Sequence, residues 1–257
     1  QPGDLITLGP HRLLCGDATN EEDVARLMDG KQADLLITDP PYGVSYASKN
    51  EFLNTFGGNR NQTPMEGDHE APAEMSRLWT TTFRHAYATL ADDASYYITG
   101  PQGGDLLLLL LAIKEAGLQL KHMLVWNKNN HVLGRCDYNY KHEPILFGWK
   151  QTHHFYGQAE VSVWDIQRPH QSKLHPTMKP VELPERAIRN SSQPGQTILD
   201  PFLGSGTTLI ACQNLDRTCY GIEISPQYCD VTIARFLKHT GPENHPDLAK
   251  KFATLLS

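Results

Sequence analysis

Residues 197–239 constrain the fold most. A short apolar run, Thr197 to Leu199, leads into Asp200-Pro201-Phe202-Leu203-Gly204-Ser205-Gly206-Thr207-Thr208. Helical periodicity follows from Thr208 to Leu215. A second apolar run, Thr218 to Ile222, precedes a helix from Pro226 to His239. Strands alternating with helices predict an α/β fold with a mainly parallel sheet.

The alternation continues upstream. Thr19 and Glu22 predict a capping box ahead of Val24, Leu27 and Met28, closed by Gly30. Ala33 to Thr38 reads as a short buried strand, with Leu35, Leu36 and Ile37 unbroken. A helix is expected over 73–90, a strand over 95–99, a Leu-rich helix over 105–116 and a strand over 122–126. A further strand is expected near Pro144 to Phe147, and a helix from Val181 to Asn190 with Pro184 in its first turn. Residues 1–257 read as one domain with loop insertions at about 43–71 and 127–142 and a short tail at 240–257.

Composition limits the function classes. The longest apolar run, Leu106 to Ile113, has eight residues, and a membrane span requires roughly 20. No membrane partner is therefore expected. Gln1-Pro2-Gly3-Asp4 has no basic or apolar leader segment, so no signal peptide is expected. Five scattered cysteines without a C-x-x-C pair argue against a zinc or redox site and suit a reducing cytoplasm. His153 and His154 are adjacent, and neighbours in a strand face opposite ways, so no shared metal is expected. The formal charge of −6 excludes a chain-wide basic footprint for nucleic acid.

Two segments carry chemistry. The glycine stretch lies where a doubly wound sheet binds ligands, at a strand's carboxyl end. Gly204 and Gly206 let backbone approach a ligand, and the helix beyond offers free N–H groups. Glu223 ends the next strand, where a carboxylate can accept from ribose hydroxyls. Position 209 is Leu, so a G-x-G-x-x-G dinucleotide fingerprint is incomplete, and no G-K-[ST] phosphate loop is present. A lone G-x-G serves equally as a tight turn; Asp200 and Glu223 favour a ligand. The second segment is Asp39-Pro40-Pro41-Tyr42, also after a strand. Neither proline has an N–H. The Asp39 carboxylate and a neighbouring carbonyl therefore offer two acceptors beside an aromatic ring. That set suits a flat heterocycle with an exocyclic amine. Alone, such a string reads more simply as a turn; its pairing with the glycine stretch gives it weight.

Together these segments resemble the β-class amino-methylating DNA methyltransferases that use S-adenosylmethionine. Asp39-Pro40-Pro41-Tyr42 is similar to the catalytic D-P-P-Y motif of that family, and Asp200 to Thr208 is similar to its cofactor motif D-P-F-x-G-S-G-T-T. His175-Pro176-Thr177-Met178-Lys179-Pro180 is similar to the preceding H-P-T-x-K-P element, and Leu14-Cys15-Gly16-Asp17-Ala18 to its G-D segment. The catalytic motif precedes the cofactor motif, as in the permuted class. The resemblance spans about Leu8 to His239. It implies a Rossmann-like S-adenosylmethionine-dependent methyltransferase fold, a mainly parallel twisted sheet with a reversed last strand. It also implies a reaction: methyl transfer to the N6 amine of a flipped adenine in duplex DNA, with Asp39, Pro40, Pro41 and Tyr42 catalytic. The cofactor residues implied are Asp17, Ala18, His175, Thr177, Lys179, Asp200, Phe202, Gly204, Ser205, Gly206, Thr207, Thr208 and Glu223. Among these, Glu223 goes to the ribose and Asp17 with Ala18 to the adenine. Lys179 goes to the methionine carboxylate, on charge as well as motif. Asp at position 39, rather than Ser, favours adenine N6 over cytosine N4 within the family.

Residues 121–180 hold eight basic and four acidic side chains, a net of +4, with seven of the twelve histidines and several aromatics. This window is the expected DNA-facing surface. Lys128, Arg135 and Lys141 are the candidate contacts there, and Lys49 and Arg60 in the earlier loop. About 25 residues separate the strand near Phe147 from His175, which leaves little room for a separate recognition domain. The family implication includes a homodimer; a companion restriction enzyme is not readable from one sequence. The competing classes are an RNA methyltransferase, a nicotinamide-dependent oxidoreductase and an inactive DNA-binding subunit. The missing third glycine argues against the oxidoreductase. The intact Asp39, Tyr42, Gly204 and Gly206 argue against the inactive subunit.

Overall fold

Strand–helix alternation produces a single nine-stranded sheet in the computed structural model, which describes residues 1–43, 72–130, 137–168 and 178–255. The strands are β1 (Leu5–Leu8), β2 (His11–Cys15), β3 (Ala33–Thr38), β4 (Leu90–Thr99), β5 (Gln119–Asn127), β6 (His142–Trp149), β7 (Val163–Asp165), β8 (Thr197–Asp200) and β9 (Thr218–Glu223). The α-helices among the described residues are α1 (Glu21–Met28), α2 (Pro72–Thr89), α3 (Gly104–Glu115), α4 (Glu182–Ser191), α5 (Thr207–Asn214), α6 (Pro226–Thr240) and α7 (Pro246–Lys251). Spatial order is β1-β2-β9-β8-β3-β4-β6-β5-β7. Seven strands share one direction, because β2–β9, β9–β8, β8–β3, β3–β4 and β5–β7 pair parallel while β6 runs antiparallel to both β4 and β5. Within the body of the sheet β6 is the reversed strand. It is sixth in chain order, and β7 to β9 follow it in the parallel set, as a permuted motif order requires.

Side chains alternate across each strand, and the two faces are covered by different helices. Leu35 and Ile37 of β3 point to one face, where they join Ile188 of α4, Leu209 of α5 and Ile233 of α6. Leu36 points to the other, with Leu27 of α1, Trp79 of α2 and Leu109 of α3. Burial on both faces leaves Leu35, Leu36 and Ile37 as an unbroken apolar run, which is why 33–38 reads so clearly. Between β3 and β8 the winding reverses: the chain leaves β3 toward β4 and leaves β8 toward β9. Ligands bind outside the carboxyl ends of strands at such a switch point, here flanked by Asp39 and Asp200.

Local chemistry corrects two expectations. Helix α1 is capped by Asn20, whose side chain accepts from the Glu22 N–H at 2.9 Å. Thr19 donates instead to Asp17 at 2.8 Å, so the helix begins one residue later than a Thr19 cap would place it. The stretch read as a C-terminal tail carries α7 and flanking 3-10 turns.

Helix α2 also fixes the turn after β3. The buried Trp79 Nε1 donates to the Pro41 carbonyl at 2.9 Å, a bond the proline-rich turn cannot make internally. Trp79→Phe keeps an aromatic ring but strands that carbonyl. The expected loss is about 1–3 kcal/mol, read as a lower urea midpoint with the slope unchanged. An unchanged midpoint contradicts the role of this bond.

Candidate active site

The carboxyl edge of the sheet carries a row of polar residues in spatial order. Asp17 follows β2, Glu223 ends β9, Asp200 ends β8, Asp39 follows β3 and Thr99 ends β4. The reversed strand β6 brings its first residues to the same edge, so Glu143 stands next in the row. Lys128, just after β5, completes it.

The glycine stretch is built around Asp200. Its carboxylate accepts from Thr38 Oγ1 at 2.8 Å, Thr208 Oγ1 at 2.6 Å and the Phe202 N–H at 3.1 Å. Burial pushes its pKa up to about 6, against the opposing pull of these three donors. Asp200 thus lies beneath the loop and braces it, a different placement from the expected contact with the methionine part. Gly206 forms the start of α5 with φ +79°, and a Cβ there would lie 2.8 Å from Thr232 Cγ2. Only glycine meets both conditions. Thr232 Oγ1 donates to the Gly204 carbonyl at 3.0 Å, and Arg235 Nη1 donates to Ser205 Oγ at 3.0 Å and lies 3.4 Å from Thr207 Oγ1. Helix α6 therefore holds the loop from behind, which sequence reading missed.

Glu223 is 8% exposed and accepts from the Gly204 N–H at 2.7 Å and the Ser225 N–H at 2.9 Å. The next residue, Ile224, is 50% exposed, a large apolar side chain left open beside a carboxylate. Sequence reading passed over it, although an apolar residue directly after the strand's acidic end was a usable signal. Asp17 Oδ1 accepts from the Thr19 N–H at 2.8 Å, and Ala18 is buried beside it. Acidic strand ends, an exposed apolar side chain and a glycine-only bend together fit a nucleoside carrying an amino-acid tail.

In the turn after β3, Asp39 Oδ1 accepts from the Tyr42 hydroxyl at 2.7 Å and from Thr99 Oγ1. Tyr42 also lies 3.0 Å from Thr99 Oγ1. Burial, with the negative charges of Asp39 and Glu143, holds the Tyr42 phenol well above its usual pKa, so it stays protonated. Asp39 Oδ2 pairs with Lys179 Nζ at 3.0 Å. That ammonium also donates to Glu143 Oε2 at 2.7 Å, and the other Glu143 oxygen takes Lys128 Nζ. Burial would raise Glu143, but Lys179 and Lys128 outweigh it and hold the carboxyl at about 2. Lys179, expected at the methionine carboxylate, is therefore drawn to Asp39. Sequence reading counted Glu143 only as a charge and did not single out Thr99.

The DNA-facing candidates divide. Lys128 is 6% exposed with its ammonium on Glu143, so it is withdrawn as a phosphate contact. Lys141 is exposed, near the open rings of Tyr138 and Tyr140. Trp126 and Trp164 of the same window belong to the core. His153 stacks on Trp149 at 3.7 Å, whereas His154 lies 3.5 Å from Asp93. Among the described residues no group of three or more His, Cys, Asp or Glu could hold a metal. Lys49, Arg60, Arg135, His175 and Thr177 lie outside the described residues.

Residues 33–235 match the family described as DNA methylase, of the N6/N4 type, and the chain belongs to that family. It is an S-adenosylmethionine-dependent DNA methyltransferase. It is 26% identical to the Type II methyltransferase M.HpaI of Haemophilus parainfluenzae, over 87% of this chain and 73% of that protein. It is 25% identical to M2.DpnII of Streptococcus pneumoniae, over 81% and 84%. The fold is similar to that of the M1.HpyAVI–SAM complex, with TM-score 0.62 and 22% identity over 89% of this chain and 98% of that one. It is also similar to the PvuII DNA methyltransferase (cytosine-N4-specific), with TM-score 0.69 and 16% identity over 96% and 93%.

The buried Asp200 gives a pH signature. Its folded-state pKa lies above the usual 3.8, so the folded protein binds the proton more tightly than the unfolded chain. Its contribution is complete below about pH 4 and is lost as pH rises through about 6. Wild-type stability relative to Asp200→Asn should fall over that window by on the order of 1–3 kcal/mol. Paired thermal melts from about pH 4 to 7 check this. A difference independent of pH contradicts it.

Proposed function

We propose that this chain methylates the exocyclic N6 amine of an adenine flipped out of duplex DNA, with Asp39 accepting from that amine. The observation carrying this reading is Asp39 itself. Its side chain is 34% exposed at the switch point and oriented by Tyr42 and Thr99 on Oδ1 and by Lys179 on Oδ2, with about one lone-pair site left on Oδ2.

When bound, S-adenosylmethionine supplies an electrophilic methyl group on a sulfonium. Glu223 would accept from its ribose hydroxyls, Asp17 and Ala18 would hold its adenine, and the exposed Ile224 would lie against that ring. The loop from Phe202 through Gly204, Ser205, Gly206 and Thr207 to Thr208 lies against the methionine part. Asp39 and the Pro40 carbonyl accept the two N–H bonds of the target amine and localise its lone pair on nitrogen. The methyl group supplied by the sulfonium would pass to that nitrogen with the bonding pair left on sulfur, and Asp39 would take the amine proton on its way to solvent. Positioning and electrostatics supply the rate. No covalent nucleophile is needed, in keeping with the burial of Cys15, Cys212, Cys219 and Cys229. The Tyr42 ring, tethered through its hydroxyl, walls the pocket for the extruded base.

Lys141, with Lys49, Arg60 and Arg135, meets the phosphates. The relatives named as Type II methyltransferases support a role in bacterial DNA modification; a cytoplasmic location and a homodimer complete this reading. Among the described residues no helix is long and apolar enough to cross a membrane. A second reading, cytosine N4, draws on the likeness to the PvuII enzyme.

The test supplies labelled donor with unmethylated duplex DNA or with RNA. Label should enter DNA and not RNA. Asp39→Ala should lose at least about a thousandfold in transfer yet bind donor normally by calorimetry. Full activity in that variant removes Asp39 from the chemistry.

A further inference from the structure

A four-member charge chain, Lys128–Glu143–Lys179–Asp39, joins four separate segments at the carboxyl edge. Lys128 follows β5, Glu143 opens β6, Lys179 precedes α4 and Asp39 follows β3. Signs alternate and sum to zero, so no charge is left uncompensated. The side chains of Lys128, Lys179 and Glu143 are 7%, 14% and 19% exposed. Asp39, at 34%, is the most open member.

We propose that Glu143 is a positioning residue for methyl transfer, acting through Lys179 to fix the direction of the Asp39 carboxylate. The inference rests on the reading of Asp39 given above. A lysine has a flexible four-carbon stem and a point charge with no preferred direction. Alone beside a partly open carboxylate, such a side chain moves between that carboxylate and water. Glu143 removes this freedom. Its Oε2 holds the ammonium at 2.7 Å, opposite the 3.0 Å contact to Asp39 Oδ2. Its other oxygen is tied to the buried Lys128, so Glu143 cannot follow the lysine outward. Lys179 further lies 5.9 Å from the Tyr42 ring centroid and 5.8 Å from that of Trp126, so both rings flank the ammonium. Asp39 then receives hydroxyls on Oδ1 and a fixed ammonium on Oδ2, and the remaining lone pair on Oδ2 has one orientation. A displacement of about 1 Å in an acceptor costs on the order of a hundredfold in rate.

The test compares Glu143→Gln, Lys179→Met and the double variant in the full chain, using S-adenosylmethionine and unmethylated plasmid DNA, with Asp39→Ala alongside. In Glu143→Gln, kcat should fall about tenfold to a hundredfold while donor Kd stays within about twofold. The double variant should be no slower than Lys179→Met alone, because the effect runs through that lysine. Wild-type kcat in Glu143→Gln overturns the proposal, as do losses that multiply in the double variant. Removing one partner of a buried pair can unfold a protein. If Glu143→Gln does not fold, Lys179→Met decides. A lowered kcat at unchanged donor Kd supports the proposal; a raised donor Kd at unchanged kcat gives the lysine to the donor and overturns it. Activity retained in Asp39→Ala overturns the reading of the turn itself. Activity lost there, with Glu143→Gln at wild-type kcat, overturns this inference alone.

Discussion

The buried carboxylate of Asp200 is the interaction on which the site depends. It ends β8, yet it takes hydrogen bonds from the last residue of β3, from the loop that follows it and from the first turn of α5. The D-P-P-Y turn and the glycine loop are 162 positions apart at the Thr38–Asp200 bond, and this bond sets their distance directly. Burying a carboxylate is unfavourable unless its lone pairs are filled. Three donors occupy three of its roughly four lone-pair sites, and burial still raises its pKa to about 6. The arrangement admits little else: any shift of β3 against β8 strands a buried charge.

Around that hub, sheet topology does most of the assembly. Parallel strands bring their carboxyl ends to one edge, which accounts for Asp17, Glu223, Asp200, Asp39 and Thr99 standing in a row. A further parallel strand beside β4 would add another carboxyl end. The reversed β6 adds an amino end instead, and with it Glu143 beside Asp39. The antiparallel β5–β6 pair then places Lys128 within reach of that carboxylate. The reversal thus has a chemical consequence, since it supplies the anionic anchor for the lysine that touches Asp39.

Much of this was legible in the sequence, for physical reasons that also mark where legibility stops. Strands buried on both faces are uninterrupted apolar runs, so β3 was read to its exact bounds and β8 and β9 to within a residue. The hairpin of β1 and β2 was missed, although Leu8 and His11 pair directly across Gly9-Pro10, a turn signal in its own right. The three-residue β7 is too short to carry a pattern. At the site, both motifs stand where a strand meets a loop, so Asp39, Glu223 and the glycines could be placed at the sheet's carboxyl edge from the sequence. Their partners could not. Thr99 and Glu143 lie 60 and 104 positions after Asp39, and no local pattern announces a tertiary ion pair. The same gap misassigned Lys128: counting charges along a window cannot tell an exposed lysine from one folded onto a buried glutamate. Asp200 and Lys179 stand in readable motifs, but which neighbour each faces is fixed only by the sheet order.

The central claim is that the edge between β3 and β4 presents an oriented acceptor to an exocyclic amine. The most direct measurement identifies the methylated atom. Unmethylated duplex DNA is incubated with the protein and isotopically labelled donor, digested to nucleosides and resolved by mass spectrometry against standards. The account predicts that all label is in N6-methyldeoxyadenosine. Label in N4-methyldeoxycytidine would keep the amine acceptor but contradict the adenine assignment. Label on a ring carbon, or no methylated nucleoside at all, would contradict the account as a whole.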